Sequence, residues 1–259
     1  MKSLILYLFH QVNDNVINFI KFSLFDHSEY YFVIICNSLD IDCSVLQIPS
    51  YVQLIQRENV GFDFAGWAVG LFNNDQYLKY DRFLFINSSV AGPFIPPYFK
   101  NPWPDLILFG LNKDIKLFGA TINNYGTYAE YIHGVTHHVQ SFVFCLDRIG
   151  LDICIQNSIF SISNLNRSLA ETVSNCEVKM SFSIIQAGYN IGCCSKKYED
   201  VDFRFIQRYP RELFTADIMY DGRYRSSGAH PYETIFIKTN RFINPNVYIP
   251  YLIKKRICY

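Results

Sequence analysis

Two stretches carry side chains suited to binding or catalysis. Arg57-Glu58-Asn59-Val60-Gly61-Phe62-Asp63 is a polar run that closes one apolar segment and opens a glycine-spaced one. The apolar run Arg82-Phe83-Leu84-Phe85-Ile86 stops abruptly at Asn87-Ser88-Ser89. In an open α/β sheet, ligands lie just beyond the carboxyl ends of strands. Two such edges, one βα unit apart, make a site for a polar, oxygen-rich ligand. Arg57 is a planar donor fork that either binds phosphate or pairs with Glu58 or Asp63. Asp63 either accepts a hydrogen bond from a base or ribose or caps the helix that follows. Asn87, Ser88 and Ser89 either hydrogen-bond a ligand or form a strand-ending turn. No Gly-Lys-Ser/Thr follows the glycines, so this is not a P-loop, and G-x-G-x-x-G is also missing.

Further candidates lie downstream. His137-His138-Val139-Gln140-Ser141 precedes an apolar run, and polar residues at a helix N-terminus suit hydroxyl-rich ligands. Asp147 either orients such a ligand or pairs with Arg148. His133 and His137 have the spacing of a metal pair on one helical face. Gly134 stands where a zinc hydrolase would carry glutamate, and Val135-Thr136 is poor helix. Ser174-Asn175-Cys176-Glu177 reads as a capping box, and Glu171 likewise follows Ser168 by three. His230 precedes Pro231 in a polar, accessible loop, with Lys238 and Arg241 as nearby cations. Trp67, Trp103, Tyr125 and Tyr128 either stack on sugar rings or fill the core.

The elements that must position these residues are legible as a pattern. Residues 4–9, 31–36, 52–56 and 82–86 read as strands, and 16–24 and 63–72 as helices, the first capped by Asn13-Asp14-Asn15. Gly61, Gly66 and Gly70 allow the second helix close approach to a sheet. Continuous apolar strands alternating with helices predict a parallel sheet covered on both faces. Pro93, Pro96, Pro97, Pro102 and Pro104 make a loop. Residues 106–109, 117–122 and 234–238 read as strands. Residues 139–148 and 174–187 read as helices, the latter ending at Gly188. The expectation is one α/β domain over 1–259, with a nucleotide-type half (1–110) and a more irregular half (111–259).

The chain has 259 residues, half of them hydrophobic, with 23 Lys+Arg against 23 Asp+Glu. That balance argues against a nucleic-acid binder held by bulk charge. The eight cysteines (36, 43, 145, 154, 176, 193, 194 and 258) show no CxxC spacing and read as free thiols. The apolar run at 4–9 is short and lacks a small-residue cleavage site, and no run approaches a membrane span. A soluble, cytoplasmic protein is the expectation. Lys254-Lys255-Arg256 is either a solvated tail or a peripheral membrane contact.

Several segments in order carry a resemblance: R-x-N-x-G-x-D (57–63), YDRFLFINSSVAGPF (80–94), KLFGATIN (116–123), HHVQSFVFCLDRIGL (137–151), CEVKMSFSIIQAGYNI (176–191) and HPYETIFIKTNR (230–241). Together, spanning about 4–241, they resemble a GT-A-fold glycosyltransferase of the rhamnan-synthesis and polysaccharide-assembly group. The resemblance implies a Rossmann-type mixed sheet. It implies transfer of a hexosyl or deoxyhexosyl group from a UDP-, GDP- or dTDP-linked donor to a glycan hydroxyl. Arg57, Asn59, Gly61, Asp63, Asn87, Ser88, Ser89, His230 and Lys238 would then face the donor, and His138, Gln140 and Asp147 the acceptor. Glu177 takes the position of the base in an inverting transfer, against its alternative as a helix cap. Many GT-A enzymes hold a divalent metal with Asp-x-Asp where this chain has Asn87-Ser88-Ser89, and Asp81 lies at the other end of the strand. Metal use is therefore expected to be absent or weak. The same departure favours the alternative, a catalytically inactive nucleotide- or glycan-binding module of the same fold.

Overall fold

The computed structural model describes residues 1–123, 137–163, 168–205, 217–223, 228–241, 246 and 248–251. The chain runs β1 (Ser3–Phe9), α1 (Asp14–Ser23), β2 (Tyr30–Cys36), β3 (Gln53–Gln56), α2 (Phe62–Phe72), β4 (Arg82–Asn87), β5 (Val90–Ala91) and α3 (Asp105–Leu108). It continues through β6 (Ile115–Gly119), β7 (Ile122–Asn123), β8 (His138–Val139), β9 (Val143–Asp147), α4 (Arg148–Gln156), α5 (Leu169–Thr172) and α6 (Lys179–Gln186). The last elements are β10 (Asn190–Cys193), α7 (Pro231–Thr234) and β11 (Ile237–Lys238). A wide π-type turn, Val173–Val178, joins α5 to α6.

Seven strands form one sheet in the order β10-β6-β9-β4-β1-β2-β3. Only β9 runs against its neighbours β4 and β6, so the sheet is mixed. Strand β1 is buried along its whole length, and its period-two side chains feed two cores. Ile5, Tyr7 and Phe9 pack with Phe19 of α1, Trp103 and Ile107 of α3. Leu4, Leu6 and Leu8 pack with Trp67 of α2, Leu151 of α4 and Ile184 of α6. Helices on both faces explain why these strands read as unbroken apolar runs. Both tryptophans are core residues, and Trp103 donates its ring N–H to the Ser23 carbonyl (2.8 Å).

Helix α2 lies so close to β1 and β2 that a Cβ on Gly66 would enter the Leu8 side chain and reach within 2.9 Å of Asn37 Oδ1. This close packing sets the start of α2 against the carboxyl ends of the central strands. Two small antiparallel pairs lie outside the main sheet: β11 with β5, and β7 with β8. The first brings Lys238 opposite Val90, beside the end of β4.

Several sequence expectations change. Residues 143–147, read as helix, are strand β9, and helix α4 starts only at Arg148 with Asp147 as its cap. Residues 106–109 are mostly helix α3 rather than strand. The segment 234–238 divides between the end of α7 and the two residues of β11. The helix expected from Ser174 already begins at Leu169. The seven cysteines among the described residues are free, six of them buried. No described helix is long and apolar enough to cross a membrane.

Candidate functional site

Asp63 does not cap α2. The cap is Gly61, in the left-handed region at φ 77°, and it makes no side-chain cap bond. Phe62 follows at φ 55°, a costly conformation for a bulky residue. These two residues turn the chain so that Asp63 faces β4, where its carboxylate accepts from Asn87 Nδ2 (2.8 Å). The other amide atom, Asn87 Oδ1, accepts from the Ser89 N–H (3.1 Å) and hydroxyl (2.6 Å). Burial pushes the Asp63 carboxyl up, and the Asn87 bond partly offsets that.

The end of β4 is latched from two sides. Asn15 Nδ2 donates to the Ser88 carbonyl (2.9 Å) and to Thr239 Oγ1 (3.0 Å). The Thr239 N–H and hydroxyl both donate to the Ser89 carbonyl (2.9 and 3.1 Å). The latch seats Lys238 with its ammonium 5.2 Å from the centre of the Phe142 ring. Burial lowers the Lys238 pKa and Arg241 adds to that, while Glu177, Asp217 and Asp63 pull it back up. Lys238 is thus a cation among three carboxylates at the mouth of the central strands.

Glu177 is the second carboxylate of this cleft. It sits in the π-type turn, not at a helix start, so the capping-box reading of 174–177 fails. The capping box belongs to Ser168 and Glu171, which bond each other reciprocally at the start of α5. A π-turn displaces side chains from the ordinary helical spacing and is frequent at functional positions. Glu177 Oε2 accepts from the Ser141 N–H (2.8 Å) and from the Ser141 hydroxyl, and Oε1 lies 3.5 Å from His138 Nε2. Burial pushes this carboxyl up. The His138 hydrogen bond and charge, with the two Ser141 donors, more than reverse that and hold it at about 2. The Asn87 N–H donates to the Phe142 carbonyl (3.0 Å), which seats the Ser141 turn beside β4.

The sign of that shift makes a prediction. A carboxyl held below its unfolded value adds stability above that value and loses it as pH falls through the folded one. For Glu177 the window runs from about 4.5 down to about 2. Ser141→Ala removes one donor, so the Glu177 carboxyl should titrate at higher pH and the acid-side loss of stability should shrink. Carbon-13 NMR of the Glu carboxyl groups against pH reads this directly. An unchanged Glu177 titration would refute the assigned role of Ser141.

The sequence model of rhamnan synthesis protein F matches residues 32–223. The chain belongs to that family. Two curated forms of virulence protein VirA from Vibrio anguillarum, one from strain ATCC 68554 / 775, are 34% identical to this family member over 116 residues. The match covers 41% of the chain and 30% of each relative, so the chain spans well under half of the relatives' length. Among solved structures, a cytidylyltransferase from Leptospira borgpetersenii aligns at TM-score 0.41 and 10% identity, over 74% of this chain and 75% of that one. The glycosyltransferase GlyE of Streptococcus pneumoniae aligns at TM-score 0.39 and 15% identity, over 76% and 46%. No chemistry is carried across on likeness of that size.

In this rhamnan synthesis protein F family member the structure brings together Asp63, Asn87, Ser89, Lys238 and Glu177, with His138 behind Glu177. Ser88 is buried, its N–H bonded to the Leu8 carbonyl (2.9 Å). Arg57 lies farther along the same strand edge. It pairs with neither Glu58 nor Asp63 but donates to Asn37 Oδ1 (2.8 Å) and the Val60 carbonyl (2.7 Å), shaping the loop. Asn59 is exposed on that loop. Gln140 is buried, accepting from the Thr121 hydroxyl (2.6 Å).

Asp147 does not reach the cleft. It is in register with Arg82 at the opposite end of the sheet, where Lys116 Nζ bonds it at 2.7 Å. His230 caps α7 through Nδ1 (3.2 Å from the Tyr232 N–H) and is exposed, but it faces a separate groove. His133, Tyr125, Tyr128 and the basic cluster at 254–256 lie outside the described residues. Sequence reasoning missed the bonds of Ser141 to Glu177 and the Asn15–Thr239 latch. It also missed His10, exposed just past β1, whose charge acts on Asp63. His10 had a usable signal, as the first polar residue after a buried strand. The other contacts join residues far apart in the chain.

Among the described residues no group of three His, Cys, Asp or Glu side chains could hold a metal ion. Where Asp-x-Asp would stand, Asn87 is committed to Asp63 and Ser89. This donor set does not fit a divalent cation.

Proposed function

We propose that the chain transfers a sugar from a nucleotide diphosphate donor to a glycan hydroxyl with inversion and without a metal. The observation that supports this best is Glu177, anchored by Ser141, within electrostatic reach of Lys238 and of Asp63, which bonds Asn87. The Arg57–Asp63 loop takes the nucleoside side of the donor. Asn87, Ser89 and Lys238 face the diphosphate and donor sugar, Lys238 supplying the positive charge that a metal would. Glu177 receives the acceptor proton as the acceptor oxygen attacks the anomeric carbon and the nucleoside diphosphate leaves. A carboxylate near 2 is a weak base for a neutral alcohol. It suffices for the oxonium that the attacking oxygen becomes once its bond to carbon has formed. A hexosyl or deoxyhexosyl donor accords with the family description.

The low Glu177 value also favours a second reading, a domain that binds nucleotide or glycan without turnover, because general bases are usually tuned towards the working pH. Thermal unfolding in the presence of UDP, GDP, dTDP and CMP and their sugars, each with Mn²⁺ and with EDTA, tests the donor site. One nucleotide class should stabilise equally in both, by about 2.7 kcal/mol at a hundred times its dissociation constant. Stabilisation that requires Mn²⁺ would refute the metal-free reading, and no stabilisation by any nucleotide would refute the donor site.

A further inference from the structure

A groove of about 580 Å³ lies along β10, within the size range of ligand pockets. Strand β10 ends the sheet, and it points the same way as β4 because both oppose β9 directly or through β6. Its carboxyl end therefore lies on the edge that carries Asn87. Three strand spacings separate them, roughly 14 Å. The nucleoside loop lies on the other side of Asn87, past β3. A ligand running along this edge would meet the nucleoside loop, the Glu177 cleft and the groove in that order.

The lining is unsuited to phosphate and suited to sugar. Glu233 and Glu199 place two carboxylates on it, against Lys196 and the His230 ring. Glu233 is held in place, its Oε1 accepting from the Lys196 N–H (3.0 Å) and the Ser195 hydroxyl (3.4 Å). Aromatic faces come from Tyr98, Phe118 and Tyr232. The Phe118 ring lies between two glycines: a Cβ on Gly110 would enter the ring, and one on Gly192 would come within 2.9 Å of it. Aromatic side chains with a carboxylate at one end match the apolar C–H faces and hydroxyls of a pyranose chain. The segment that lines the groove with His230, Glu233 and Ile235 runs directly on to Lys238 in the cleft.

Resting on the transferase reading, we propose that this groove holds the sugar residues of the acceptor chain that precede the reacting one. The enzyme then reads an oligosaccharide rather than a single sugar. The test titrates the intact protein with methyl glycosides of rhamnose mono-, di- and trisaccharides by calorimetry, alongside the stabilising nucleotide. Affinity should rise by about tenfold from mono- to trisaccharide. Tyr98→Ala, at a position 80% exposed and so safe for folding, should cut trisaccharide affinity about three- to tenfold and leave nucleotide binding unchanged. Glu233→Gln should act in the same direction. Equal affinity for all three saccharides, no sugar binding beside intact nucleotide binding, or indifference to Tyr98→Ala overturns the groove alone. Length-dependent sugar binding without nucleotide binding overturns the donor site instead.

Discussion

Replacing Glu177 with Gln is expected to lower turnover by about 10²–10⁴-fold while nucleotide-dependent stabilisation stays as it was, because a positioned base contributes on that scale. The change keeps the shape of the side chain and removes its charge. The Ser141 N–H retains an oxygen to donate to, so the turn that carries residue 177 keeps one of its anchors. What is lost is the capacity to take a proton, together with the charge pairing to His138 and Lys238. On the proposed reading, donor affinity depends on the Arg57 loop, Asn87 and Lys238, none of which bonds Glu177 directly. The two readings of the site therefore part at this variant. A binding module has no turnover to lose. Turnover within a few-fold of the parent would remove Glu177 from the chemistry and leave Asp63, whose carboxyl is pushed up by burial, as the carboxylate to examine.

The parts of this fold that the sequence disclosed are those in which one physical demand acts alone. Strands β1 and β2 are covered on both faces, so each of them is nearly all apolar. Asn13 accepts from the Val16 N–H (3.1 Å), as a helix cap should, and α1 starts at Asp14, two residues before the apolar run that disclosed it. Strand β9 shows the opposite case. A short apolar run is ambiguous between a buried strand and a buried helix. His137, Gln140 and Arg148 flanked it with helix-like polarity, but pairing on both sides with β4 and β6 decided for strand. Asp147 followed that change. As a helix residue it would have shared a face with the cleft, and as the last residue of β9 it lies at the far end of the sheet.

The site was legible to the same extent. Asp63 and Asn87 each stand at a recognisable βα edge, but nothing in the pattern shows that they bond each other. Glu177 was visible as a residue, but its local S-x-x-E signal, starting at Ser174, pointed to a cap that the helix makes earlier, at Ser168. Its partner Ser141 is 36 residues away. Lys238 reaches the cleft only because two residues of β11 pair with two of β5, and so short a pairing has no periodicity to detect.

Lys238 carries the second large effect. Lys238→Met keeps most of the apolar stem and removes the ammonium, and it should weaken nucleoside diphosphate binding about ten- to a hundredfold, the scale of one charged hydrogen bond. Binding of the matching nucleoside, which carries no phosphate, should be unaffected, because the Arg57 loop lies elsewhere on the edge. The comparison of the two ligands separates loss of a phosphate partner from general damage to the fold. A variant that binds the diphosphate as tightly as the parent would sink the assignment. The carboxylates add a second reading. With the ammonium gone, the charges of Asp63, Glu177 and Asp217 that act on it are offset nearby only by Arg241, which pairs with Asp217 at 3.5 Å. The site loses one positive charge, so Mn²⁺ carried in by the diphosphate should restore part of the lost affinity in Lys238→Met and none in the parent. Restoration in the variant would show that the lysine occupies the electrostatic position that Asp-x-Asp enzymes give to a metal. It would also explain how a strand ending in Asn87-Ser88-Ser89 serves a diphosphate site.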